Sequence, residues 1–521
     1  MCLNILIRNS AAGKCYNSFI ARSDSSFEKN RYRRWTELDV ESTKSNGKYF
    51  NYYWEDETTD VNPKNWPLVT KVIFCLEIGF LSLSVYIGSA IYTPGVDQLM
   101  QEFSTSRVVA MLPLTMFVIA YGIGPLLFSP ITEYYKLGRM PVYLVTLTIF
   151  VILQVPTALV RNIAGLCVLR FLSGFFASPV LATGAASVCD IIEVPYMPVV
   201  IGVWALFSLC GPSLGPLIGA ALVVAKSWRW CFWFMLFISG LSLLICIFLM
   251  PETYAPTIMY YEARKLRKLT GNHEIKTAEE THEKNSVTGL KDLAADYLWR
   301  PIEISIIEPV VLLINIYSAL VYGVLYLWFE GFPLVFIDIY DFTIVEEGAC
   351  FSSILVGVII GSCCYVIFIY HRFTVKLKTN QPVYPEVFLP MAIVGAVFLP
   401  IGIFIFGWGA TQKSHWIASL IGAVLAGFAN FIIFQTLLNY LGMSFPKYVA
   451  SAFASNCLFR SVIAGVFPLF GHSLFFNLRI KNFPVAWGST ILAIIAAGMI
   501  AIPIFFHAYG PQLRARSKYT V

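Results

Sequence analysis

Along the chain, long apolar stretches alternate with short polar breaks. Apolar runs occupy residues 69–93, 107–128, 140–160, 163–186, 199–223 and 230–250; a polar segment at 251–302 is followed by runs at 303–336, 345–370, 386–408, 415–440, 450–470 and 484–508. Each run supplies the roughly 20 residues that a helix needs to cross a hydrocarbon core. Lipid offers no partner for free backbone donors and acceptors, so spans of this kind are read as helices. The pattern predicts an all-α membrane protein with twelve transmembrane helices in two six-helix lobes, 69–250 and 303–508. Outside the lobes it predicts a disordered tail over 1–68, a central loop over 251–302 and a short tail over 509–521, all cytosolic.

Composition strengthens this reading. Of 521 residues, 57% are hydrophobic and 13% charged, against about 25% charged in soluble domains. The net charge of +6 is small and dispersed, which argues against a nucleic-acid partner, and the soluble enzyme classes are disfavoured with it. Most of the 12 cysteines lie inside apolar runs and read as small buried hydrophobes, with no metal-ligand spacing. No cofactor, metal or catalytic centre is expected. The start, MCLNILIRNS, has no cleavage pattern, so the first span is expected to act as the insertion signal. Lys and Arg concentrate in the tails, the central loop and every second connection, which predicts both termini in the cytosol. Within the central loop, YYEARKLRKLTG reads as a helix on the inner leaflet or as a solvated linker. Neither Gly-Lys pair, at 13–14 or 47–48, has the flanking residues of a nucleotide-binding loop. Transport would therefore run on an ion gradient or downhill.

Three segments carry physical content. SPITEYYKLGR (129–139) joins spans two and three, and its Ser129, Glu133, Gly138 and Arg139 are similar to the loop signature of the major facilitator superfamily, with two extra residues between acid and glycine. Either an acid–base latch between Glu133 and Arg139 closes the inner gate, or the charges are those of any inward-facing loop. Span four places Arg170 in an apolar run, at a cost of at least about 2.5 kcal/mol unless it meets a partner, a cavity or the surface. Arg170 and Gly174 resemble the superfamily's fourth-span motif, which implies proton coupling at Arg170. In span five, CGPSLGPLIGA repeats Gly211, Gly215 and Gly219 on one helix face, with Pro212 and Pro216 beside them. Such a face suits close helix packing, with bends at the prolines. It resembles the motif of the superfamily's antiporters.

NPKNWP (62–67), SAIYTPG (89–95), WRWCFWF (228–234), PET (251–253), EPVVLLINIY (308–317), FASNCLFRS (453–461), PVAWGS (484–489) and the terminal GPQLRARSKY extend the similarity over nearly the whole chain. Together they resemble the fungal twelve-span drug:proton antiporters, and more narrowly the plasma-membrane benomyl and azole resistance transporters. That resemblance implies proton-coupled efflux of diverse, largely apolar drugs, including azole and benzimidazole-type antifungals, across the plasma membrane. The expected partners are small-molecule drugs, protons and the lipid bilayer, and the chain is expected to act as a monomer.

For the substrate, span seven places Asn315, Tyr322, Tyr326 and Glu330 on one helical stripe. They would line a pore, with Glu330 taking a proton, or the tyrosines would form an interfacial belt with Glu330 in outer water. Asn430, Gln435 and Asn439 in span ten and Arg460 in span eleven would face them, unless they tie helix to helix. Glu77 reads as a second proton site or as a partner of Lys71. An uptake permease and a membrane sensor on a transporter scaffold are the alternative functions; the first would need a denser set of polar groups and the second a long cytosolic extension.

Overall fold

Apolar runs bounded by proline, glycine and charge become long helices in the computed structural model, which describes residues 6–7, 9–14, 61–270, 275–280, 299–480, 483–517 and 519. Among these, twelve spans are long and apolar enough to cross a membrane: α1 (Leu68–Phe103), α2 (Arg107–Thr132), α3 (Arg139–Leu159), α4 (Ile163–Ile191), α5 (Val194–Ala225) and α6 (Arg229–Leu249) in the first lobe, then α7 (Pro309–Ile337), α8 (Ile344–Lys378), α9 (Pro385–Gly409), α10 (Ile417–Ser444), α11 (Val449–Asn477) and α12 (Ala486–Arg516) in the second. The expected count and two-lobe order hold. An even number of spans places the start of α1 and the end of α12 on one face of the bundle, here the terminal face; the other is the opposite face.

Several helices run beyond their apolar cores. The α12 helix continues to Arg516, through most of the segment expected to be a free tail. A separate helix, Arg300–Ile307, precedes α7 where one continuous span was expected. Helix continuity survives internal prolines, as at Pro113, Pro125 and Pro130 of α2, because neighbouring helices satisfy the freed backbone groups.

The lobes meet along two seams. In one, α2 lies on α11: Thr115 Oγ1 donates to the Gly465 carbonyl at 2.7 Å, and a Cβ on Gly122 would come within 2.4 Å of Ser461 Cβ. In the other, α5 lies on α8: a Cβ on Gly348 would meet Ala220 at 2.5 Å and the Pro216 carbonyl at 3.0 Å. The Gly-Pro repeat of α5 is therefore used on two sides. Its glycines face α1, where a Cβ on Gly219 would fall 1.8 Å from the Ile91 carbonyl oxygen and one on Gly215 3.0 Å from that of Ile87. The adjacent Pro216 carbonyl faces the other lobe.

The expectation of a disordered tail over 1–68 does not hold at its beginning. Residues 6–7 and 9–14 include helical turns, and the buried Leu6 and Ser10 rest on the terminal face, Ser10 bridging to Pro251. The basic cluster Arg31, Arg33 and Arg34 and the acidic one at Glu55, Asp56 and Glu57 lie outside the described residues. The linker helix Ala255–Thr270 packs on the loop between α2 and α3: Tyr261 Oη donates to the Lys136 carbonyl at 3.0 Å, and the Tyr260 and Tyr135 rings meet edge to face at 5.2 Å.

Candidate transport site

The centre of the bundle is built from polar side chains that the apolar helices carry into the seam between the lobes. Arg170 of α4 is 1% exposed and does not reach the surface. Its Nη2 donates to the Ser89 carbonyl of α1 at 3.0 Å, and the guanidinium lies 4.2 Å from the centroid of the Phe117 ring. Gly174, one turn on, lets α2 approach, since a Cβ there would lie 2.2 Å from the Phe117 carbonyl oxygen. An enclosed cation of this kind is stabilised by the carbonyl and by aromatic faces. Ser89 also faces the second lobe: Tyr326 Oη of α7 donates to its hydroxyl at 3.1 Å.

Tyr326 and Tyr322 lie 3.4 Å apart, oxygen to oxygen, and Tyr121 Oη of α2 donates to Tyr322 at 3.1 Å. Arg460 of α11 covers this cluster, its guanidinium 4.6 Å from the Tyr322 ring and 4.7 Å from that of Phe434. A continuous polar path thus runs from Arg170 in one lobe to Arg460 in the other by way of Ser89, Tyr326 and Tyr322. The tyrosines are buried between the lobes and form no interfacial belt; Tyr322 is 1% and Tyr326 0% exposed. Glu330 is not in outer water either. It is 1% exposed, and Arg107 Nε of α2 donates to its Oε2 at 2.7 Å.

The remaining polar residues of the expected cavity lie elsewhere. Asn315 is tied within the second lobe, donating to Ser305 at 3.1 Å and Ser455 at 3.0 Å and accepting from Asn456 at 3.0 Å. Asn430 lines a void of about 10 Å³ with Val321, Leu325, Trp328 and Leu399, on another face of α7 from the tyrosines. Gln435 is buried beside Tyr365, to which Asn439 donates at 3.1 Å. Asn315 and Asn439 thus join helix to helix. Of the stripe and its facing wall, only Tyr322, Tyr326 and Arg460 come together, with Glu330 one turn beyond. Glu77 is buried next to Cys246 of α6, and Lys71 turns instead to the Lys64 carbonyl at 2.7 Å.

The terminal-face motif is assembled differently from the expected latch. Arg139 forms its ion pair with Asp190 at the end of α4, through Nε at 2.7 Å and Nη2 at 3.2 Å, whereas Glu133 is exposed at the end of α2. Asp190 also accepts from Thr253 Oγ1 at 3.1 Å. Glu252 caps the start of α3, accepting from the Arg139 and Met140 amides at 3.1 Å each. Burial pushes its carboxyl above the ordinary range, against the pull of these backbone donors. Gly138 sits between them with φ of 81°, and a Cβ there would lie 2.4 Å from Glu252 Oε2, so glycine is required on two counts. Ser129 contributes its carbonyl to Thr132 Oγ1 at 2.7 Å and so ends α2. All these groups belong to the first lobe or to the segment that immediately follows it.

Sequence reasoning missed Arg107, Asp190, Ser89 and Tyr121. Asp190 and Arg107 lie at the ends of apolar runs, where a charge is unremarkable, and the hydroxyls gave no signal before their helices were placed.

Comparison with known proteins assigns the architecture. Residues 78–468 match the family model described as Major Facilitator Superfamily. A Candida maltosa protein named cycloheximide resistance protein is 52% identical over 89% of this chain and 85% of its own length. Fluconazole resistance protein 1 of Saccharomyces cerevisiae is 41% identical over 90% of this chain and 85% of its own. Among solved structures, a partially occluded, inward-open xylose transporter from E. coli covers 84% of this chain and 99% of its own, with a TM-score of 0.57 at 14% identity, which speaks to fold alone. The twelve spans, the paired seams and these matches together place the chain in the major facilitator superfamily.

Proposed function

We propose that this protein exports chemically diverse, largely apolar drugs across the plasma membrane in exchange for protons. The observation that carries the reading is its 52% and 41% identity, over about nine-tenths of its length, to relatives named for resistance to cycloheximide and fluconazole. The geometry supports transport by rocking lobes. The lobes touch through few polar groups at the centre, and a substrate entering there would meet the rings of Tyr322, Tyr326 and Phe434 beside Arg460. Flat aromatic faces with few fixed donors discriminate weakly among apolar ligands, which suits a broad spectrum. The terminal face is the cytosolic one in this reading, in keeping with its Lys and Arg. The protein works as a monomer, because each lobe supplies half of the path.

Arg170 modulates proton exchange at the centre through Ser89 and Tyr326, and Glu330 carries the proton. The glycine face of α5 keeps the α1 contact tight enough to prevent leak. The test is net flux of a fluorescent lipophilic dye in proteoliposomes with an imposed pH gradient of either sign. Dye movement opposite to the proton flow is expected. Dye accumulation in the direction of proton entry would reassign the protein as an uptake symporter.

A further inference from the structure

The face opposite the termini carries a charge constellation that spans the two lobes. Arg107, at the start of α2, donates through Nε to Glu330 of α7 at 2.7 Å and lies 3.6 Å from Asp97 of α1 through Nη1. Asp97 is 74% exposed, Arg107 28% and Glu330 1%, so the three form a graded path from solvent into the seam. Glu347 of α8 is buried and faces the same guanidinium. His472 of α11 and Asp338 at the end of α7 complete the titratable surroundings, with Tyr92 of α1 interacting with Glu330. The α11 backbone closes over the pair, since a Cβ on Gly471 would come within 3.3 Å of Glu330 Cβ.

The two partners are unequal. When the lobes part at this face, Arg107 keeps a carboxylate of its own lobe, the exposed Asp97. Glu330 loses the cation that the first lobe supplied while its side chain remains against α11. An ionised carboxylate stripped of its partner in an apolar seam is strongly disfavoured; adding a proton removes that cost. Glu330 also sits one helical turn from Tyr326, which binds Ser89 across the same seam. Separation here would therefore strain the Tyr326–Ser89 contact and, through Ser89, the carbonyl that receives Arg170.

We propose that the Arg107–Glu330 pair is the lock between the lobes on this face, and that a proton arriving from solvent past the exposed Asp97 releases it by neutralising Glu330. The proposal rests on the proton-exchange reading and deepens it, since it assigns the proton's entry site and the step that it drives. Protonated Glu330 accompanies the outward-open state; when its proton passes inward by way of Tyr326 and Tyr322 toward the terminal face, the pair re-forms and the outer face closes. Proton entry and outward opening are then one event.

The experiment uses the full chain in proteoliposomes with the same lipophilic dye, measuring net flux under a pH gradient and dye exchange at equal pH on both sides. Wild type is measured first: if its flux ignores the gradient, the proton-exchange reading fails and this proposal with it. If wild type responds, Glu330→Gln, a neutral mimic of the protonated form, should lose gradient-driven flux by at least about tenfold. Exchange at equal pH, which needs no net proton movement, should persist at a measurable rate, a result that also shows the variant is folded. Glu330→Asp, which can still titrate, should recover part of the gradient response. Should Glu330→Gln keep the wild-type response to external pH, the lock is overturned while antiport stands. The proposal is equally overturned if His472→Gln, and not Glu330→Gln, removes that response, because the titrating group would then lie on α11. Loss of exchange in both Glu330 variants would likewise overturn it and make the pair a structural tie.

Discussion

Two ion pairs of equal length, one near each face of the bundle, do different work because of what they join. Arg139 and Asp190 meet at 2.7 Å and belong to α3 and α4 of the same lobe. Arg107 and Glu330 also meet at 2.7 Å, but they belong to different lobes. If the lobes move as bodies, the first pair keeps its geometry throughout the cycle and the second must break in every turn. The Arg139 cluster, with Glu252 capping α3 and Thr253 on Asp190, holds a loop to its own lobe. Near the same face the contacts between the lobes include no carboxylate–cation pair among the described residues: Thr374 Oγ1 donates to the Pro195 carbonyl at 2.7 Å, Tyr365 to that of Pro198 at 3.3 Å, and the Lys378 ammonium to the Tyr196 hydroxyl. Charge secures one face from within a lobe and the other across the seam.

The sharpest way to break this comparison is to remove one acid from each pair. Asp190→Asn should be the most damaging, because Arg139 would stay enclosed in one lobe with its counter-charge gone. A loss of about 3 kcal/mol is expected for a broken buried pair, read as a lower unfolding temperature in detergent and reduced abundance. Glu330→Gln should shift stability by about 1 kcal/mol or less, since Arg107 is partly exposed and retains Asp97. Its effect belongs in gating. If Glu330→Gln unfolds the protein as readily as Asp190→Asn does, the two pairs are both structural and the distinction falls.

A smaller change sharpens the comparison at the centre. Tyr326→Phe deletes the cross-lobe hydrogen bond to Ser89 and leaves the ring in place. Hydrogen bonds within membrane proteins contribute about 0.6 kcal/mol on average, so folding should be almost unaffected. The open fraction on the side of Glu330 should rise by about threefold, which is that energy expressed as an equilibrium shift. An environment-sensitive label placed at the exposed Gln101 of α1 would report it; an unchanged signal would mean that Ser89 and Tyr326 do not hold the seam.

How much of this was legible before the helices were placed depends on the kind of information. The spans followed from apolar length alone, because lipid leaves the backbone no other option. Arg170 and the Gly-Pro repeat were visible because a charge, or a proline pair, is conspicuous inside an apolar run. Tyr322, Tyr326 and Glu330 were correctly placed on one stripe of α7, since helical spacing is a local property. Partnership was not legible. Arg107 and Glu330 are separated by 223 positions and Arg139 and Asp190 by 51, and no periodicity within one helix reports which helices meet. The latch was assigned to Glu133 for this reason: it is near Arg139 in sequence, while Asp190 is near in space. The same blindness put Asn430 in the cavity wall, because its helix faces could not be assigned to a neighbour.

Glu133 therefore supplies the smallest expected effect and the cleanest check on that lesson. Its side chain is exposed at the end of α2, and it feels Arg139 at a distance, through a guanidinium already held by two bonds to Asp190. Exposed pairs of charges contribute between 0 and about 1 kcal/mol, and here Asp190 has taken the better geometry. Glu133→Gln should thus change stability by less than about 0.5 kcal/mol and leave dye export within about twofold of wild type. Arg139→Gln should be far more harmful, because it leaves the half-buried Asp190 without its cation and α3 without the side chain that anchors its first turn. The measurement is dye efflux and unfolding temperature for the two variants side by side, with protein amounts matched. If Glu133→Gln instead impairs export as severely as Arg139→Gln while folding normally, then Glu133 must engage Arg139 in another state of the cycle. The terminal-face cluster would then exchange partners as the lobes move, and the contrast between a fixed pair and a breaking pair would give way to two switches.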